Sequence, residues 1–183
     1  MPNHVLTGTP GAGKTAVLRL LEVHGFSVVE EAATDVIALG QALGRAEPWR
    51  EPAFVEEVVR LQRRRLEAAP AGAEAAVFFD RSPVCTLALS RFLGFPASRL
   101  LAREVERVVN RGTYDGKVFF VRNQGFVRAT SARRIGYEEA LDFERLHERT
   151  YRDLGFELVE VPAGPLADRV ALVERAVSPP GRS

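Results

Sequence analysis

The sequence predicts one three-layer α/β domain, with about five parallel strands in a sheet and helices on both faces. Three observations carry that prediction. Short β-branched or aromatic runs alternate with longer helical stretches along the chain, the order that right-handed strand–helix–strand crossovers produce. Two of those runs, Ala75-Ala76-Val77-Phe78-Phe79 and Lys117-Val118-Phe119-Phe120-Val121, are almost wholly apolar, as strands buried on both faces are. The chain has 183 residues, 46% of them hydrophobic and 27% charged, which is enough for one sizeable core and too few for two.

The elements follow in order. His4-Val5-Leu6-Thr7 is a short apolar strand feeding a glycine-rich stretch, and a helix continues from Thr15 through Leu21. Phe26-Ser27-Val28-Val29-Glu30 is short and β-branched, the mark of a strand. Ala32 to Leu43 reads as a helix that stops near Gly44. Pro52 opens a further helix to about Ala69, because proline is tolerated in a first turn, and Pro70-Ala71-Gly72-Ala73 breaks it. The run 75–79 is the next strand and ends at Asp80. Ser82-Pro83 starts a helix, with serine as N-cap and proline in the first helical position. That helix ends near Gly94, and another spans roughly Ala97 to Asn110. After the strand 117–121 comes a polar stretch from Asn123 to Gly136, then a helix from Tyr137 to Leu154 that Gly155 ends. Phe156 to Val161 is the last strand, and Pro165 opens the terminal helix. A single domain over 1–178 is expected, with 179–183 as a disordered tail. No internal repeat or low-complexity segment interrupts it.

Bulk properties narrow the partners. Twenty-five Lys+Arg against 24 Asp+Glu leave a net charge of +1, which disfavours nucleic acid as a partner. Cys85 is the only cysteine, so no intramolecular disulfide can form and a reducing cytoplasm is expected. Only seven residues precede Gly8, without a charged-then-apolar leader, and no apolar run approaches the roughly 20 residues a membrane span needs. A homodimer is left open.

The chemistry begins at Gly8-Thr9-Pro10-Gly11-Ala12-Gly13-Lys14-Thr15, which fits G-x-x-x-x-G-K-[ST]. Its glycines permit backbone conformations that turn several N–H groups into one concavity, and the helix that starts there adds its positive end, so phosphate oxygens are favoured. The segment Gly8–Ala16 is therefore the expected ATP cradle. Lys14 would reach the β- and γ-phosphates, and the Thr15 hydroxyl would take one site on Mg²⁺. The motif follows an apolar strand and opens a helix, the context it requires.

Open parallel sheets place ligand groups at the carboxyl ends of their strands. Asp80 stands at such an end and is the second expected magnesium ligand, direct or through water, while Arg81 reads either as a substrate-phosphate contact or as a surface arginine. Glu30 and Glu31 end another strand. One of them, Glu31 by preference, could accept a proton from an attacking hydroxyl; a solvated first helical turn explains the pair equally well. The stretch from Arg122 to Gly136 has the composition of a lid, in which Arg128, Arg133 and Arg134 would neutralise charge on a transferring phosphoryl group. Trp49, Arg50 and Phe54 are candidates for an acceptor pocket or for a loop anchor. Arg63-Arg64-Arg65 spreads over too much helix circumference to form one site, and His147 shares a stripe with Ala140, Phe143, Tyr151 and Leu154 that reads as packing.

A GTPase should carry Asn-Lys-x-Asp after a strand, which is missing, and an AAA+ motor needs a helical domain beyond the sheet, for which no chain is left. The ordered set GTPGAGKT, VVEEAATDVI, VFFDRS and ARRIGYEEALDFERLHERTYRDLGFELVEVP resembles the AAA-domain-type ATPase/kinase family of small P-loop proteins. That family is similar to nicotinamide riboside kinase domains and, more distantly, to deoxynucleoside and thymidylate kinases. The resemblance covers nearly the whole chain and implies a three-layer P-loop NTPase fold. It implies that Lys14 and Thr15 serve ATP and Mg²⁺, that Asp80-Arg81 is the Asp-Arg pair after a strand, and that Glu31 is the acid at the acceptor edge. It further implies that Arg133 and Arg134 belong to the lid and that the turn Val161–Gly164 lies near adenine. Thr34, where the family often has arginine, and Ser131, where it often has an acid, depart from the pattern. The expectation is an ATP- and Mg²⁺-dependent phosphotransferase acting on a small acceptor, a nucleoside or nucleotide; the alternative is an ATP-binding regulatory module with no small-molecule acceptor.

Overall fold

The computed structural model describes residues 2–70, 76–123 and 137–177. Among these described residues five strands and seven α-helices succeed one another: β1 (Asn3–Thr7), α1 (Lys14–Val23), β2 (Ser27–Val29), α2 (Ala32–Ala42), α3 (Pro52–Ala68), β3 (Val77–Asp80), α4 (Pro83–Phe92), α5 (Arg99–Asn110), β4 (Lys117–Val121), α6 (Tyr137–Asp153), β5 (Glu157–Val161) and α7 (Leu166–Val177). A 3-10 turn, Pro48–Arg50, precedes α3. The strands form one parallel sheet in the order β2-β3-β1-β4-β5. The expected three-layer architecture is therefore the observed one.

Alternation along the strands splits the core into two layers. Val5, Val77, Phe79 and Val118 face the layer that α2 to α6 cover, while Leu6, Phe78, Phe119 and Val121 face α1 and α7. Each large side chain buried this way contributes about 1.5–3 kcal/mol by leaving water. The His4 ring lies among the second set, against Phe78 and Phe119 at centroid distances of 5.5 and 5.9 Å.

Element boundaries follow the capping signals closely. The Ser82 hydroxyl accepts from the Val84 N–H, as the Ser-Pro start predicts for α4. The helix expected from Ala97 begins at Arg99 instead, because Ser98 takes the cap and accepts from the Leu101 N–H. The strand expected over Phe26–Glu30 shortens to three residues, Ser27–Val29, which pair with Val77–Phe79 of β3. Because all five described strands run parallel, their carboxyl ends gather at one edge of the sheet. That edge carries the candidate site.

Candidate active site

At the end of β1 the chain turns through Gly8, Gly11 and Gly13, whose φ angles are 131°, 82° and 86°. Gly8 is required on two counts: its φ is left-handed, and a Cβ there would stand 2.2 Å from the Val121 carbonyl oxygen of β4. Gly13 caps α1 in a left-handed conformation, and no acid occupies that helix's first turn, so the N-terminal N–H groups and the helix dipole present an uncancelled positive end. Lys14 is buried, and its ammonium donates to the Thr9 carbonyl at 2.9 Å, which folds the side chain over the loop. Residues 8–13 thus form a tight glycine turn that leads directly into α1.

Thr15 and the buried Asp80 line one cavity of about 260 Å³, together with Glu31, Thr34 and Asp35. Hydroxyl and carboxylate oxygens are the donors magnesium takes, and because that ion keeps several waters, two protein groups are enough. The donor set fits Mg²⁺. Among the described residues no group of three or more His, Cys, Asp or Glu gathers as a fuller protein cage would require.

Arg81 occupies the only non-glycine position with positive φ (73°) among the described residues. Such a conformation costs roughly 1–3 kcal/mol and persists only where the surroundings impose it. Here the Arg81 N–H bonds the Leu6 carbonyl of the neighbouring strand at 3.0 Å, and the guanidinium is turned back into the protein, 8% exposed. The surface-arginine alternative is thereby excluded. Arg81 Nε donates to Glu31 Oε1 at 2.5 Å, and Nη1 lies 3.3 Å from His147 Nε2. Burial opposes the charge, but Glu31 beside it holds the guanidinium above its ordinary pKa.

His147 is fully buried on α6 and packs edge-on against Phe143. Its Nδ1 lies 3.0 Å from the Phe143 carbonyl, an acceptor, so the proton sits on Nδ1 and Nε2 accepts from Arg81. Burial first, and the Arg81 cation second, push the imidazole pKa down to about 3. The packing role expected of His147 is correct but incomplete, since the ring also orients the arginine.

Glu31 and Glu30 diverge. Glu30 pairs with Arg19 on the surface, whereas Glu31 faces inward and also accepts from the Thr34 hydroxyl at 2.7 Å. Of the two, Glu31 is the one that meets Arg81 and lines the larger cavity, and Thr34 braces it. The triple arginine divides as well. Arg63 pairs with Glu67 in solvent, but Arg65 reaches the Glu30 carbonyl at 2.9 Å and bonds Asp35, so it ties α3 to the loop that carries Glu31.

Beyond the Glu31–Arg81 pair opens a cavity of about 300 Å³. Its walls include the rings of Trp49, Phe54, Phe92 and Phe143 with aliphatic Ile37 and Leu89. Its polar groups include the Gln62 amide, which accepts from the Thr86 hydroxyl at 2.9 Å. Pro10 of the glycine-rich loop lines the same cavity, so the two sites adjoin. The 3-10 turn that carries Trp49 comes this close to α2 only because position 40 lacks a side chain: a Cβ on Gly40 would stand 2.5 Å from Pro48 Cγ. Cys85 in the cavity wall is held from behind by a buried chain of hydroxyl and thiol groups, Ser82 Oγ to Tyr151 OH at 2.7 Å, Tyr151 OH to Cys85 Sγ at 3.0 Å and Cys85 Sγ to Thr7 Oγ1 at 3.2 Å.

The lid arginines Arg128, Arg133 and Arg134, and Ser131 with them, lie outside the described residues, as does the expected tail at 179–183. Arg122, at the start of the expected lid, stacks over Phe120 at 4.4 Å and is held by Glu144, Glu148 and Glu160. Its charge is committed to the scaffold. Sequence reasoning missed His147, Gln62 and Gly40 as parts of the site. A histidine inside an apolar helical stripe was the only available signal, and it points equally to packing.

The family described as AAA domain matches residues 3–169. Among solved structures, deoxyadenosine kinase from M. mycoides with bound products dCMP and dCDP superposes with a TM-score of 0.62 at 14% identity, covering 96% of this chain and 98% of that one. The same enzyme with dATP gives 0.62 at 15% identity, over 97% and 99%. NadR protein in complex with NAD and AMP-PNP gives 0.66 at 15% identity, over 99% of this chain and 52% of that one. At these identities the likeness establishes the fold. No curated protein matches the chain.

Proposed function

The chain belongs to the AAA domain family, and from that premise we propose that it is an ATP- and Mg²⁺-dependent phosphotransferase whose acceptor is a small molecule carrying a planar ring, a nucleoside or nucleotide. One observation carries the reading: the phosphate loop and an aromatic-walled cavity share a border at Pro10, and the Glu31–Arg81 pair stands in that cavity. A donor cradle alone would serve any ATPase. A second, ring-sized cavity beside it is what an acceptor needs.

The residues divide the work. Loop N–H groups and Lys14 hold the donor phosphates, and Trp49, Phe54, Phe92 and Phe143 would enclose the acceptor ring. Glu31 would take up or orient the acceptor hydroxyl at the mouth, with Arg81 fixing its carboxylate and drawing the incoming oxygen into line. Magnesium at Thr15 and Asp80 would supply charge neutralisation of the phosphates. Arg128, Arg133 and Arg134 are proposed as the lid cations that complete this stabilisation, and a cytoplasmic location fits the substrates.

The relatives lend support of a limited kind: deoxyadenosine kinase binds dATP and NadR binds AMP-PNP in the structures named above. Acceptor-stimulated ADP release, measured across a panel of nucleosides, nucleotides and related metabolites with Lys14→Ala as control, tests the proposal. Stimulation by one member that Lys14→Ala abolishes is expected. ATP binding with no stimulation by any acceptor would instead leave a regulatory module that signals its nucleotide state.

A further inference from the structure

Arg169, in the first turn of α7, is a buried cation with unusual company. It is 4% exposed, yet among the described residues no carboxylate approaches it within ion-pair distance. Its Nη2 donates to two backbone carbonyls, Ala12 at 2.9 Å and Arg122 at 3.2 Å, and its Nε has no hydrogen-bond partner. Desolvation lowers its pKa from the ordinary arginine value, with no carboxylate to restore it. The other buried arginine among the described residues, Arg81, is compensated by Glu31. A buried charge held only by neutral dipoles is costly to the isolated fold, so its retention calls for an anion that arrives later.

The position identifies that anion. Ala12 lies inside the glycine-rich loop, and its carbonyl belongs to the same planar trans peptide unit as the Gly13 N–H, which therefore points the opposite way. A guanidinium on the carbonyl side polarises that unit and strengthens the N–H as a donor toward the concavity. We propose that Arg169 is the buried counter-charge of the donor site: lodged behind the phosphate loop, it is compensated only when a nucleotide's phosphates fill the cradle. It touches no ligand and acts as a positioning residue through the Ala12–Gly13 peptide. The inference rests on the donor half of the proposed function and is independent of the acceptor.

Calorimetric titration of the protein with Mg-ATP, without any acceptor, combined with thermal melting of the ligand-free form, tests it. Arg169→Met removes charge and hydrogen bonds, Arg169→Gln keeps a donor without charge, and Arg169→Lys keeps charge. Met and Gln are each expected to weaken ATP binding roughly tenfold, about 1.4 kcal/mol, while Lys stays within about threefold of wild type. The ligand-free Arg169→Met protein should melt at or above the wild-type temperature, because an uncompensated buried charge has gone. A bracing role would give the opposite pattern. Wild-type affinity in Arg169→Gln, or a lowered ligand-free melting temperature in Arg169→Met, would overturn the proposal. A wild-type protein that binds no ATP would overturn both this and the proposed function, whereas ATP binding without acceptor turnover would overturn only the kinase reading.

Discussion

Arg81 and Glu31, fifty positions apart in the chain, meet in an ion pair of 2.5 Å at the junction of the phosphate loop and the aromatic cavity. Neither is free to move: the arginine is pinned by His147 and its own left-handed backbone, the glutamate by Thr34. A carboxylate preorganised in this way can receive a hydroxyl without first rearranging, which is where catalysis by positioning gains its energy.

Replacing Glu31 with glutamine keeps the shape and removes the basic oxygen. If the acceptor reacts through a hydroxyl, acceptor-dependent ADP release should fall by roughly 10²–10⁴, the range for loss of a positioned base, with ATP affinity unchanged. Nearly full turnover would mean that the acceptor is already a phosphate and needs no base.

His147→Phe would fill the same buried space while withdrawing the acceptor from Arg81 Nη1. A hydrogen bond to a charged group contributes about 1.5–3 kcal/mol, so the acceptor KM should rise at least roughly tenfold while ATP affinity stays constant. His147→Asn, which can still accept, should recover part of the loss. Equal damage to ATP binding in both variants would show that the histidine supports the fold alone.

Acid should destabilise the protein through its buried histidines. Burial lowers the pKa of His4, and burial together with Arg81 brings that of His147 to about 3. The folded state therefore holds the His147 ring neutral where the unfolded chain, below its ordinary histidine pKa of about 6.5, binds a proton, and burial of His4 acts in the same direction. The stabilisation is complete above that pH and is lost as pH falls, the His147 share continuing down to about pH 3. His147 should add a slope of about 1.4 kcal/mol per pH unit between about pH 6.5 and 3. Urea midpoints at pH 7, 6 and 5 measure this, and His147→Phe should remove one proton's worth of slope.

Gly40→Ala tests how the cavity is shaped. The new Cβ would meet Pro48 Cγ at 2.5 Å and displace the turn that bears Trp49. Overpacking of this kind costs about 1–3 kcal/mol, and the acceptor KM should rise with it while Mg-ATP binding is spared. Unchanged acceptor kinetics would mean that Trp49 does not contact the acceptor.

The proposed donor half of the site is legible in the chain because its geometry is local. Gly8, Gly11, Gly13, Lys14 and Thr15 act within one turn between a strand and a helix, so their spacing carries their geometry. The strand ends at Asp80 and Glu31 are legible too, because a parallel sheet sends such ends to one edge. The partnerships at that edge are of another kind. Arg81 with His147, Gly40 with Pro48 and Arg169 with Ala12 depend on how helices pack over the sheet, and the residues concerned look like ordinary helix positions until they do. The sequence by itself therefore determined the sheet and the glycine turn that opens α1, and it singled out Lys14, Thr15 and Asp80 as candidates, because all of these follow from short-range backbone geometry and strand periodicity. Only the tertiary structure decided which way Arg81 points, what fixes Glu31, and that a ring-sized cavity lies against the loop, because long-range side-chain packing sets each of these.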